Sequence, residues 1–282
     1  MEKWIFCVLF LSACQGSHAP QTIDNQAVKQ SSGIVGGVAV PDADPIHHQV
    51  FLYATYTHSQ EHQDAGSHEK DDDNVSTCTT SALTPRVFLL AAHCIASNSY
   101  KSEITFPAAD PDDDGITINV VKSIRHEGYS STNTFSDLAL VLLEKDAPPE
   151  TQIMQIPTPQ NPIVFSQIRA AGFGDVSGID EDDNDGDEVL RTVPLDVTSF
   201  QIDQPRFVVD QTHGQGICHG DSGGPAVIQK NNFLYIVGVA SETTYDPKKK
   251  PLDVCSALGH YVNVQYYYTW IAQHVDELSR IK

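Results

Sequence analysis

Between residues 34 and 264 the apolar residues come in short runs broken by turn residues. The runs are Val50–Tyr56, Val87–Ala92, Ile116–Ile124, Leu138–Leu143, Ile168–Ala171, Phe233–Ala240 and Tyr261–Val264. Runs this short match strands better than helices. Their repeated alternation with turns predicts an all-β sandwich or barrel. The end of the chain has a different pattern. Trp270, Ile271, His274, Val275 and Leu278 recur at helical spacing, so about Tyr267 to Arg280 is predicted to close the chain as an amphipathic helix. Three acidic stretches, Glu61–Asn74, Asp110–Gly115 and Asp180–Glu188, interrupt the strands and read as solvated loops.

The first residues read as an export signal. Met1-Glu2-Lys3 is a short polar start, and Trp4 to Leu11 is an apolar run too short for a spanning helix, which needs about 20 residues. The run ends in Leu11-Ser12-Ala13-Cys14, which resembles the lipobox of bacterial lipoproteins. That resemblance implies a lipid on Cys14 and a precursor anchored in the cell envelope. Residues 15–33 are polar and without period, as expected of a pro-segment. The expected organisation is therefore a signal over 1–13, a pro-segment over 14–33 and a folded domain over 34–282. No later run is long and apolar enough to span a bilayer, so the exported domain is expected to be soluble, secreted or held at the envelope. Of the six cysteines, Cys7 lies in the signal; beyond Cys14, Cys78, Cys94, Cys218 and Cys255 remain for an oxidising compartment, with three pairings open.

Charge narrows the partners. The 282 residues hold 37 acidic against 17 basic side chains, a formal net charge of -20. Phosphate backbones need Lys and Arg, so nucleic acid is excluded as a partner. Anionic lipid is repelled in the same way.

Three strings carry chemistry. Acyl transfer by a serine needs a base for the hydroxyl proton, a carboxylate to orient that base and donors for the oxyanion. Cys218-His219-Gly220-Asp221-Ser222-Gly223-Gly224-Pro225 supplies a serine on a Gly-rich turn. There the amides of Gly220 and Ser222 can meet a developing negative charge. Leu90-Ala91-Ala92-His93-Cys94 delivers His93 at the end of a strand, and Ser136-Asp137-Leu138-Ala139-Leu140 sets Asp137 just before one.

The order His93, Asp137, Ser222 with these flanks resembles the chymotrypsin–trypsin family of serine proteases, over roughly residues 34–275. Ile34-Val35-Gly36-Gly37 resembles the mature N-terminus that such enzymes gain by cleavage. The resemblance implies two antiparallel six-stranded β-barrels with the site between them and a C-terminal helix. It implies His93 as general base and then acid, Asp137 as its orienter and Ser222 as nucleophile. It pairs Cys78 with Cys94 and Cys218 with Cys255, the shorter loop contributing about 3 kcal/mol. It makes the amine freed at Ile34 the partner of Asp221. The expected reaction is hydrolysis of peptide bonds in protein or peptide substrates, by a monomer that an activating protease opens. No cofactor is required. A protease-like binding module without activity is the competing reading.

The same resemblance locates a substrate pocket. Its floor falls on Gly216, and its walls on Ser241, Glu242, Thr243 and Gly259. Two glycines and no acid at the floor imply a neutral, open pocket for an apolar or small side chain. A carboxylate introduced at Gly216 would then favour Arg and Lys. Thr243 narrows the entrance, and Glu242 favours a basic substrate side chain nearby. One metal site is also expected: Asp110, Asp112 and Asp114 alternate before Gly115 as in the first half of an EF-hand-like loop, which suits structural calcium.

Overall fold

The computed structural model describes residues 34–58, 73–107, 115–179, 189–248 and 252–282. The expected signal, the pro-segment with Cys14, and the calcium ligands Asp110, Asp112 and Asp114 lie outside the described residues. Among the described residues no helix is long and apolar enough to cross a membrane.

Among the described residues thirteen strands and one α-helix follow one another along the chain. A short β1 (Val38–Ala39) precedes β2 (Val50–His58), β3 (Asp73–Ala82), β4 (Val87–Leu90), β5 (Lys101–Phe106), β6 (Ile116–Arg125) and β7 (Ala139–Leu143). The second half holds β8 (Gln167–Gly172), β9 (Arg191–Ser199), β10 (Arg206–Asp210), β11 (Pro225–Lys230), β12 (Phe233–Thr244) and β13 (Leu258–Asn263), then α1 (Tyr268–Ser279). Strands β2 to β7 close a barrel in the order β2-β3-β4-β7-β6-β5. Strands β8 to β13 close a second one, β9-β10-β13-β12-β11-β8, because β8 also pairs with β9; β1 is appended to β9. The two six-stranded antiparallel barrels and the closing helix are those expected.

Burial along the strands, continuous in β4 and β7 and alternating in β10, builds two cores. Phe51, Phe88 and Phe106 meet edge-on or tilted in the first, with centroids 4.7–5.8 Å apart. Phe207 stacks on Tyr261 at 5.2 Å in the second. Such aromatic pairs add about 0.5–1.5 kcal/mol each beyond area burial. The helix lays Ile271 and Leu278 on the first barrel, against β4 and β7. One boundary differs from expectation: Asp73 and Asn74, read as the end of an acidic loop, already belong to β3. That strand is rich in Ser and Thr, yet Thr79, Thr80 and Ser81 are buried. The Thr79 and Thr80 hydroxyls donate to the Gly220 and Leu89 carbonyls, each at 2.9 Å, whereas the buried Ser81 hydroxyl has no partner among the described residues.

Candidate active site

The first barrel presents a histidine and a carboxylate side by side. Strands β4 and β7 are antiparallel neighbours, with Leu90 opposite Ala139. The end of one therefore lies beside the start of the other. A single 3₁₀ turn, Ala92–Cys94, follows β4 and carries His93; another, Thr134–Ser136, ends just before Asp137 and β7. His93 Nδ1 lies 2.7 Å from Asp137 Oδ2, and the His93 backbone amide donates to Oδ1 at 2.9 Å. Asp137 is buried, with 1% of its side chain exposed, whereas a third of the His93 side chain is open. With Nδ1–H held by the carboxylate, Nε2 is left as the acceptor. Burial alone would raise the Asp137 carboxyl, but hydrogen bonds from His93 and Ser241 and the imidazole's charge hold it below the usual carboxylate range.

The second barrel supplies the serine loop, and Thr79 of β3 docks it on the first barrel. The Thr79 amide donates to the Ser222 carbonyl at 2.8 Å, and its hydroxyl donates to the Gly220 carbonyl at 2.9 Å. Gly223 then presses against the residues just before His93. A β-carbon there would sit 2.3 Å from the Thr79 carbonyl oxygen and 3.0 Å from the Ala91 nitrogen. Gly220 and Gly223 both have φ of +84°, the left-handed region where glycine alone is unstrained. Among the described residues, neither the Gly220 nor the Ser222 amide donates to a protein acceptor. Both amides of the serine loop are thus left without a protein acceptor among the described residues. Sequence patterns gave no reason to single out Thr79, because its importance comes from a contact 143 residues away.

Ser241 ties the two barrels together. It sits at a register shift in β12 between Ala240 and Glu242, and its hydroxyl donates to Asp137 Oδ2 at 2.6 Å. The Ser241 hydroxyl oxygen in turn accepts from Arg206 Nη2 at 2.9 Å. Arg206 also donates to the Thr134 carbonyl at 2.5 Å and pairs with Glu242 Oε1 at 2.6 Å. Glu242, expected to favour a basic substrate side chain nearby, already shares its charge with Arg206. Arg206 keeps only 11% of its side chain exposed and carries three partners. Arg206→Ala is expected to cost about 1–3 kcal/mol through the polar groups it strands. The cost should appear as a lower urea midpoint at unchanged slope.

The pocket departs further from expectation. Gly216 and Gly259 do not open onto empty space. The carboxamide of Gln211, the residue after β10, lies between them and is 1% exposed. A β-carbon at Gly216 would come within 2.4 Å of Gln211 Cδ, and one at Gly259 within 2.3 Å of its Oε1. An aspartate at Gly216 would enter only if the Gln211 carboxamide shifted, which a one-step switch to basic substrates has to include. Thr243 stands opposite Gly259 in the β12–β13 ladder, and its hydroxyl donates to the Val254 carbonyl at 3.1 Å.

Both disulfides link the pairs implied by the resemblance, Cys78–Cys94 and Cys218–Cys255. His93 lies close to the first pair, but sulfurs joined to each other offer no thiolate to a metal. Ile34 is fully buried in the second core, and Val35 bridges to Gly216, whose amide donates to the Val35 carbonyl at 3.0 Å. Asp221 is also fully buried, and accepts from the amides of Gly174 and Cys218, each at 2.8 Å. Burial pushes its carboxyl up to about 7 despite those two donors.

Comparison with known proteins agrees with this geometry. The profile of the Trypsin family matches residues 50–271. A chymotrypsin of Phaedon cochleariae is 28% identical over 296 aligned positions, covering 94% of this chain and 99% of that one. Brachyurin of Leptuca pugilator is 26% identical over 72% of this chain and 84% of its own, and trypsin 5G1 of Aedes aegypti 26% over 84% and 85%. The double barrel, the cleft residues gathered from both halves and a family match across most of the chain lead to one conclusion: this protein belongs to the trypsin family of serine proteases.

Proposed function

We propose that this protein is a serine endopeptidase that works through an acyl-enzyme. The observation that carries the reading is the buried Asp137 holding His93 Nδ1 at 2.7 Å, with the Ser222 carbonyl docked on the Thr79 amide of the same barrel. His93 Nε2 takes the proton as Ser222 Oγ attacks the scissile carbonyl. The amides of Gly220 and Ser222 receive the oxyanion. His93 then gives its proton to the leaving amine, the acyl group stays on Ser222, and water activated by the same imidazole releases it. Asp137 stabilises the imidazolium that forms in each half-reaction.

Activity is proposed to begin with cleavage before Ile34. In the uncut chain the Ile34 nitrogen is an uncharged amide, and among the described residues no cation faces Asp221. Cutting creates an amine on Ile34, a residue already buried in the second core. Its pairing with Asp221, next to Ser222, would couple the free N-terminus to the shape of the serine loop. An activating protease is the implied partner. The lipobox-like Cys14 extends the proposal: that same cut would release the domain from an envelope anchor.

The neutral pocket predicts poor cleavage after Arg and Lys. Digestion of a peptide library by the chain beginning at Ile34 tests both activity and preference. Arg and Lys are expected to be cleaved at least tenfold less efficiently than uncharged residues. No cleavage of any peptide by a folded chain starting at Ile34 would end the endopeptidase reading.

A further inference from the structure

We propose that Gln211 sets the substrate preference of this protease by closing the base of its pocket, so that it takes a short uncharged side chain such as Val before the scissile bond. The proposal rests on the endopeptidase reading and names the substrate class of that same site. A side chain at either glycine of the pocket would point into the volume that the Gln211 carboxamide fills, with β-carbons 2.4 Å from its Cδ and 2.3 Å from its Oε1.

This plug is fixed from every direction. Gln211 Nε2 donates to the Ile217 carbonyl at 3.1 Å and to the Cys255 carbonyl at 2.7 Å. Its Oε1 accepts from the Ile217 amide at 3.1 Å. Its backbone amide donates to the Ala257 carbonyl at 2.9 Å. The two segments that grip it are themselves joined by the Cys218–Cys255 bridge. Both amide hydrogens are spent on backbone carbonyls, so no donor or charge remains for a long polar substrate side chain. A buried polar group with its partners satisfied is costly to move aside. The pocket is therefore short as well as neutral, and Gly216 and Gly259 serve to admit Gln211 rather than substrate.

The test compares kcat/KM for otherwise identical peptides with Val, Leu, Phe or Arg before the cut, using chain beginning at Ile34. Active sites are counted by a serine-reactive phosphonate, so that poor folding drops out of the ratios. Wild type is expected to prefer Val over Phe. Gln211→Ala is expected to raise the Phe-to-Val ratio on the order of 10- to 100-fold, the range that lost or gained pocket volume produces. Gln211→Asn, which keeps a carboxamide but retracts it by one methylene, moves the ratio the same way by less and covers the case in which the alanine variant does not fold. Gln211→Met keeps the bulk, and so keeps the Val preference while melting at a lower temperature. A wild type that prefers Phe overturns the proposal. So do alanine and asparagine variants that bind the phosphonate but keep the wild-type ratio, and so does a methionine variant that turns to Phe. A wild type that neither binds the phosphonate nor cleaves any peptide overturns the endopeptidase reading itself, and this proposal with it.

Discussion

Ser222→Ala is expected to lower peptide turnover by about 10⁶, with His93→Ala close behind. The reason is that neither residue has a substitute within the cleft. The Gly220 amide and the substrate-binding surface survive the change, and supply a residual rate on the order of 10³–10⁴ over water. Asp137→Asn is expected to cost less, about 10⁴, because it leaves the base in place but favours the wrong tautomer. Stability separates this outcome from a folding defect. Among the described residues the Ser222 hydroxyl makes no hydrogen bond, so Ser222→Ala should melt within a degree or two of wild type. Single-turnover kinetics on active-site-counted enzyme make the measurement. Turnover by Ser222→Ala within a hundredfold of wild type would rule out the nucleophile.

The second large effect lies in Asp221 and concerns the uncut chain. Its carboxyl is raised from the usual 3.8 to about 7 in the fold, so the folded state favours the neutral acid. Its contribution is therefore fully present below pH 4 and is lost as the pH rises towards 7, a loss of about 4 kcal/mol at about 1.4 kcal/mol per pH unit. Asp44 and Asp137 have the opposite slope, being held low and favouring folding at higher pH, whereas Asp175 is raised by burial and shares the slope of Asp221. The informative quantity is therefore the difference between wild type and Asp221→Asn, measured by urea unfolding from pH 4 to 8 on uncut protein. Wild type should lose ground to the variant from pH 4 to about 7 and hold level above that. Cutting before Ile34 should reverse the ranking at pH 7, because the new amine pairs with the ionised carboxylate. In the cut protein Asp221→Asn then leaves a buried amine unpaired, at a cost of about 3–5 kcal/mol. Equal pH profiles for the two uncut proteins would remove Asp221 from the activation scheme.

How far the sequence reached depended on whether the physics was local. Runs such as Val87–Leu90 and Phe233–Ala240 announced their strands because they are apolar throughout or nearly so, and bury most of their length. The strands that escaped notice had their own reasons. In β3 the buried run includes Thr79, Thr80 and Ser81 beside Cys78 and Ala82, and a hydroxyl such as that of Thr80 meets its acceptor only on folding. β9 contains Pro194, which argues against a strand in any window, although Val193 and Leu195 on either side are buried. β11 begins on Pro225, where no ladder amide is required.

The site divides along the same line. Ser222 on its Gly-rich turn, His93 at a strand end and Asp137 before another are each legible in a few neighbouring residues, since a turn, a strand and a charge are local facts. Their resemblance to a known family then carried the barrels and both disulfides. Only the tertiary structure decided what surrounds them. It put Thr79 under the serine loop, set Arg206 against Glu242 and Ser241, and filled the space between Gly216 and Gly259 with Gln211. The sequence shows that two glycines leave room; it cannot show what occupies that room, because volume between strands is shared by residues that meet only when the barrel closes.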